Sequence, residues 1–263
     1  MARVRWFALA ALVCAAVAGR PSRAHAQGCH VLDVRPTQKL GFRVSALASF
    51  ATYRNPSYEG EYQGYTGAAA FAHPWFSIEA SITGYRIVRN GLREYGPGDL
   101  MLMARGRALR VGDDAAVGIA LGASLPTGDA DKGLGMGHTM LMPGAWFGFS
   151  RGGLNLVLDV AYGRAVGGGS SHHADGGPIV NPMNRSELEH VLALDYTFWH
   201  TLFVVGRLYG AVAVADVNGR AREAAGLGLG GRVSYFEFAV EQHLPLAGTP
   251  FESKTLLRVS ASF

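Results

Sequence analysis

The sequence predicts an all-β fold, a transmembrane antiparallel up-and-down barrel of about twelve strands. Three observations carry that prediction. Segments of alternating apolar and polar residues recur from residue 39 to the last residue. Beyond residue 26 no run of 18 apolar residues occurs, so the chain has no candidate for a spanning helix. The connections between alternating segments fall into a short set and a long set that take turns along the chain. In hydrocarbon every backbone polar group must pair within the protein, so a sheet spans a bilayer only when it closes on itself. Bacterial barrels of this kind have an even strand number, short turns at one end and longer loops at the other.

The front of the chain is expected to be removed. Residues 1–26 have the three parts of a secretory signal peptide: Arg3 and Arg5, an apolar stretch from Trp6 to Ala18, and the small-residue site Ala24-His25-Ala26. The apolar stretch is only about 13 residues, short of the roughly 20 that a spanning helix needs. Cleavage would leave Gln27 or Gly28 at the front. Cys14 leaves with the signal, and Ala11-Leu12-Val13 before it makes a poor lipidation site. Removal takes four of the 24 basic residues (Arg3, Arg5, Arg20, Arg23) and no acid, leaving 20 against 20 acidic residues and a formal charge of zero. The basic character of the precursor therefore gives no argument for nucleic acid. With Cys29 the one remaining cysteine, no internal disulfide can form. Residues 27–38 read as an N-terminal periplasmic segment, too short for a folded plug, and residues 39–263 as the barrel.

Strands are expected near 39–53, 62–72, 74–87, 99–110, 115–125, 138–149, 153–166, 186–198, 201–214, 225–235, 236–246 and 253–263. Short breaks at Ala72-His73-Pro74, Val111 to Asp114, Ser150-Arg151-Gly152, Trp199-His200 and Tyr235-Phe236 fall on one end, taken as periplasmic. Connections at 54–61, 88–98, 126–137, 167–185, 215–224 and 247–252 fall on the other, and each is expected to be at least as long as the short set. Alternation then assigns faces. Phe76, Ile78, Ala80 and Ile82 oppose Ser77, Glu79, Ser81 and Thr83; Leu154, Leu156, Leu158, Val160 and Tyr162 oppose Asn155 and Asp159. The last strand, Leu257-Arg258-Val259-Ser260-Ala261-Ser262-Phe263, alternates and stops on an aromatic. It resembles the final strand of outer-membrane barrels of Gram-negative bacteria, where that strand is the assembly signal. The resemblance implies outer-membrane lipid and the barrel-assembly machinery as partners.

The polar parity places charges of both signs in a lumen: Arg43, Arg105, Arg107, Arg207, Arg232 and Arg258 with Glu79, Asp159, Asp195, Glu237 and Glu241. Two readings stand, an ion network that fixes the interior and a lining that selects polar solutes. A barrel of this strand number holds a narrow lumen, far below a general porin.

Two stretches carry a family resemblance. Gly98-Asp99-Leu100-Met101-Leu102 opens a strand, and Leu125-Pro126-Thr127-Gly128-Asp129 closes one shortly after. Together they are similar to the outer-membrane transporter family of the meta pathway of phenol degradation, whose members pair a Gly-Asp-Leu strand start with a Leu-Pro-Thr-Gly-Asp strand end. The similarity is sharp over about residues 96–130 and architectural elsewhere. It implies passive passage of small, often aromatic, compounds. Physically, Pro126 cannot donate to a ladder and Thr127-Gly128-Asp129 supplies turn chemistry, so both motifs read as structural.

Methionine and histidine collect at the outer end. Met101, Met103, Met136, Met140, Met142 and Met183, all the methionines after Met1, map to outer strand ends or loops, as do His138, His172, His173 and His190. Thioether with imidazole suits copper, and imidazole alone suits zinc or nickel. A candidate metal set is therefore His138, Met140, Met142, His172, His173 and His190. Methionine is equally a flexible filler of apolar pockets, and adjacent histidines in a glycine-rich loop are equally plain solvated chemistry. Gly167-Gly168-Gly169 follows a strand and precedes no helix, so it is no phosphate cradle. Ser186 near His190 and Ser171 beside His172 lack a nucleophile elbow, so an enzyme is not expected. The sequence thus reads as a channel or transporter for passive passage of small solutes, apolar or aromatic in the first instance. The alternative is a copper- or zinc-linked barrel, and neither reading involves nucleic acid.

Overall fold

The structure, a computed structural model, describes residues 40–54, 59–167, 183–199, 201–215, 219, 221–249 and 251–263. The expected signal peptide and N-terminal segment lie outside the described residues. Thirteen strands follow in chain order: β1 Gly41–Arg54, β2 Glu59–Ala72, β3 Phe76–Arg89, β4 Leu92–Pro97, β5 Leu100–Val111, β6 Ala115–Leu125, β7 Thr139–Arg151, β8 Leu154–Val166, β9 Ser186–Phe198, β10 Leu202–Ala213, β11 Arg222–Val233, β12 Phe236–Ala247 and β13 Phe251–Ser262. Each pairs antiparallel with its neighbours. The ring closes where β13 returns to β1, with Arg43 opposite Ser262 and Ala46 opposite Val259. Phe42 and Phe263 exchange both backbone hydrogen bonds at the foot of that seam, 3.1 and 2.9 Å.

Strands β4 and β5 share one partner. β4 pairs with residues 84–89 of β3 and β5 with residues 76–81, so together they form a single wall strand broken at Gly98-Asp99. The molecule is a closed antiparallel barrel of twelve wall strands, as the alternation predicts. The exception lies at 88–98, expected as a long outer connection. It is a two-residue turn, Asn90-Gly91, with φ of 49° and 83°, followed by β4 folding back on β3. Asn-Gly is the preferred pair for such a primed hairpin turn, because both positions need positive φ. The outer connections are therefore not uniformly longer than the inner ones.

Face polarity explains why the sheet curls. Ile78, Ile119, Leu121, Leu227, Val240 and Leu257 stand exposed on the outside, while the alternate positions are buried within. At the end holding the C-terminus the exterior carries Phe42, Phe71, Trp75, Trp199, Tyr235 and Phe263, all exposed. An apolar band edged by aromatic rings suits a bilayer, whose interface accepts amphipathic rings and whose core accepts aliphatic ones.

Candidate functional site

The two strand-end motifs meet. Asp99, at the break between β4 and β5, is buried, and its carboxylate accepts the N–H of Gly128 at 3.0 Å and of Met136 at 2.8 Å. The Thr127 hydroxyl donates to the Gly98 carbonyl at 2.9 Å and accepts the Leu100 N–H at 2.9 Å. Space is tight enough to require glycine: a Cβ on Gly135 would lie 2.4 Å from Asp99 Oδ1, and one on Gly128 would lie 2.7 Å from the Leu134 carbonyl oxygen. Farther along the loop, Asp129 accepts backbone N–H groups from Asp131 and Lys132 and pairs with Lys132 Nζ at 3.1 Å. The Lys132 hydrogen bond holds the Asp129 carboxyl below its usual pKa and raises the ammonium's.

This clasp turns the loop after β6 into the barrel. Residues 126–137 are expected as an outer connection, and within it Leu134 and Met136 are each 1% exposed. Leu134 joins a cluster with Tyr53, Tyr62, Ile87, Tyr209 and Phe251, contributed by β1, β2, β3, β10 and β13. Met136 joins a second cluster with Met140, Met142, Met183 and Ala161, against which Met101 packs. One inward loop thus completes two apolar patches, and the outer half of the lumen is aromatic on one wall and thioether-lined on the other.

Below these patches the lumen is ionic. On the wall of β10 to β13, Arg207 donates to Glu241 at 2.7 Å, Arg258 to Glu237 at 3.3 Å, and Arg232 to Glu237 at 2.8 Å. Arg43 lies 3.7 Å from Glu237 at the mouth nearest the C-terminus. His243 links this network upward, with Nδ1 3.0 Å from the Tyr209 hydroxyl and Nε2 3.3 Å from Glu241. Opposite, Arg105 is 2% exposed and reaches Asp159 at 3.3 Å and Glu79 at 3.9 Å. Near the outer end Arg222 donates to Glu187 through both terminal guanidinium nitrogens, deep in the interior.

Most of the charged residues expected in the lumen are where parity puts them. Arg43, Glu79, Arg105, Asp159, Arg207, Arg232, Glu237, Glu241 and Arg258 form the two ion networks, and Asp195 sits on the inward side of β9 with buried Ala193. Arg107 departs from the expectation. A register shift follows it on β5, and its guanidinium lies 5.0 Å over the exposed Trp75 ring instead of joining the ionic interior.

The metal set comes apart. His138, Met140 and Met142 face inward and are buried. His190 has the opposite parity from buried Glu187 and Glu189; it lies on the outer face and pairs with Glu223 at 3.0 Å across Gly210. It cannot join the inward methionines, because successive strand residues point to opposite faces. His172 and His173 lie outside the described residues. Among the described residues, no group of three His, Cys, Asp or Glu side chains converges as a metal site would require.

Several site residues escape sequence reasoning. Tyr53, Tyr62 and Tyr209 share parity with inward polar residues, which was the available signal, but aromatic side chains are expected on the lipid face. Phe251 has the outward parity of Leu257 and Val259 and turns inward only past the register shift at Tyr53. Leu134 carries no periodic signal, since it owes its place to a loop, whereas Asp99 shares the inward parity of Met103 and Arg105 and stands in the Gly-Asp-Leu motif without its clasp role being visible there.

No protein-family model and no curated protein matches this sequence. Solved structures do. An outer membrane channel from Pseudomonas putida F1 superposes with a TM-score of 0.68 at 11% identity, over 90% of this chain and 100% of that one. The KdgM porin superposes with a TM-score of 0.54 at 9% identity, over 84% and 99%. At such identities the likeness establishes a shared fold.

Proposed function

We propose that this protein is an outer-membrane channel for passive passage of small solutes, with apolar or aromatic compounds as its preferred class. The lining of the outer half of the lumen carries the reading. Tyr53, Tyr62, Tyr209 and Phe251 in one packed cluster and the methionines in the other would give an aromatic or aliphatic solute ring faces and polarizable thioethers without demanding a fixed hydrogen-bond pattern. The ionic half below keeps the barrel shape and presents paired charges to whatever passes. The barrel fold shared with an outer membrane channel and a porin supports the location. The Gly-Asp-Leu and Leu-Pro-Thr-Gly-Asp motifs support membership of the phenol meta-pathway transporter family. Insertion would use the barrel-assembly machinery, with the final strand as its signal.

Flux into liposomes holding the folded protein tests this. A neutral monohydric phenol should enter faster than through protein-free vesicles, and by a larger factor than a sugar does. Equal rates with and without protein for both solutes would end the channel reading. Acceleration of the sugar alone would replace the apolar class with a polar one.

A further inference from the structure

The methionines are too localized for filler. All six that follow Met1 lie at the inward, outer-half cluster or beside it, whereas the lipid face and the rest of the lumen use aliphatic and aromatic residues. A side chain chosen only to fill irregular space would be spread among the barrel's many apolar positions. The order Met136-Gly137-His138-Thr139-Met140-Leu141-Met142 also spaces four ligand-type side chains two apart. Met136, His138, Met140 and Met142 are all at most 5% exposed, on one inward face.

The groups around them are further thioethers and a carboxyl. The Met142 and Met103 methyls each lie 3.0 Å from the point a Cβ on Gly122 would occupy, so these two thioethers flank one spot. The Met183 N–H lies 3.3 Å from Met136 Sδ, which ties a sixth methionine into the cluster. At Gly163 the same construction finds the Met140 methyl at 3.2 Å and Glu189 Oε1 at 3.4 Å. Glu189 is 5% exposed, and its Oε1 has no hydrogen-bond partner. A buried carboxyl oxygen without a partner is costly, and taking up a proton or binding a cation would each relieve it.

We infer that Met136, His138, Met140 and Met142, with Met103 and Glu189 at the edge, form a binding site for a soft monovalent cation, copper(I). Thioether sulfur selects this ion over zinc, calcium or magnesium, which ask for imidazole, thiolate or oxygen donors. The site excludes His190 and needs neither His172 nor His173. It uses the methionine wall that the solute reading also invokes, but copper(I) retention and solute flux are measured separately, so either can fail alone.

The test uses the processed, untagged barrel folded in detergent, in a Cys29→Ser background so that no thiol supplies sulfur. Copper(I) is kept reduced with ascorbate and offered in competition with a chromophoric copper(I) chelator, and the bound ion is read by X-ray absorption. One copper(I) per barrel with sulfur scattering is expected. A Met140→Leu/Met142→Leu variant, nearly volume-conserving, should lose that stoichiometric retention while keeping the gel migration of a folded barrel. Absence of retention by the unsubstituted barrel overturns the inference. So does a spectrum with nitrogen and oxygen scattering alone, or retention unchanged in a folded double variant. Should the double variant not fold, the spectrum of the unsubstituted barrel decides by itself.

Discussion

Arg222 and Glu187 sit almost fully inside the barrel, and their two-point contact is what makes either charge tolerable there. Removing one partner leaves the other buried and unpaired, which typically costs about 3–5 kcal/mol. Arg222→Ala should therefore lower the urea midpoint for unfolding, read as loss of folded-barrel migration on gels. Glycine matters at single positions for a different reason. A Cβ on Gly226 would lie 2.6–2.8 Å from three atoms of the His243 ring, so Gly226→Ala must push that ring away from Tyr209 and Glu241. Overpacking of this kind costs about 1–3 kcal/mol. The same urea midpoint should fall in Gly226→Ala, and a His243→Ala/Gly226→Ala double variant should recover part of the loss.

At the scale of elements, the loop from residue 126 to 138 decides how wide the outer lumen is. Its inward course depends on Asp99 holding two backbone N–H groups in a site closed to water. Asp99→Ala removes two charge-assisted hydrogen bonds and strands both donors, a loss of about 3 kcal/mol from the clasp. The loop should then leave the lumen, and single-channel conductance should rise relative to the unsubstituted barrel; unchanged conductance would mean the loop is held by its apolar contacts alone. The resemblance-bearing motifs read as strand punctuation from the sequence, and Pro126 and Thr127 do end a strand. Their joint action as a clasp was not legible there, because the contact spans 29 residues from Asp99 to Gly128 and no local periodicity encodes it. The Asn90-Gly91 turn was legible in principle, yet the charged and tyrosine-bearing run after it resembles loop sequence as much as a strand projecting from a barrel.

For the whole molecule, closure is the property on which the rest depends, since an open sheet edge in lipid leaves backbone groups unpaired. Ala46 lies opposite Val259 across the β1–β13 seam, both on the outer face. An Ala46→Cys/Val259→Cys pair in a Cys29→Ser background should oxidize to an intramolecular cross-link that survives boiling in detergent. Failure to cross-link in folded protein would place the seam elsewhere. Nearly all wall strands could be read from alternation, with ends within three residues, because one face must satisfy lipid and the other must not. That two-solvent constraint acts on every second residue and so writes itself into the sequence.

By itself the sequence determined the closed sheet, the order of its strands and the inward parity of its charges, all consequences of a period-two pattern meeting an apolar medium. Only the tertiary structure decided what the lumen contains. Which arginine meets which carboxylate depends on register between strands far apart in the chain, as Arg105 and Asp159 show. That Leu134 and Met136 line the interior follows from a loop folding inward, whereas His190's outward place follows from its parity against Asp195 and was already legible. A loop's direction is set by the partners its backbone finds, here the carboxylate of Asp99, and such partners exist only once the barrel has closed.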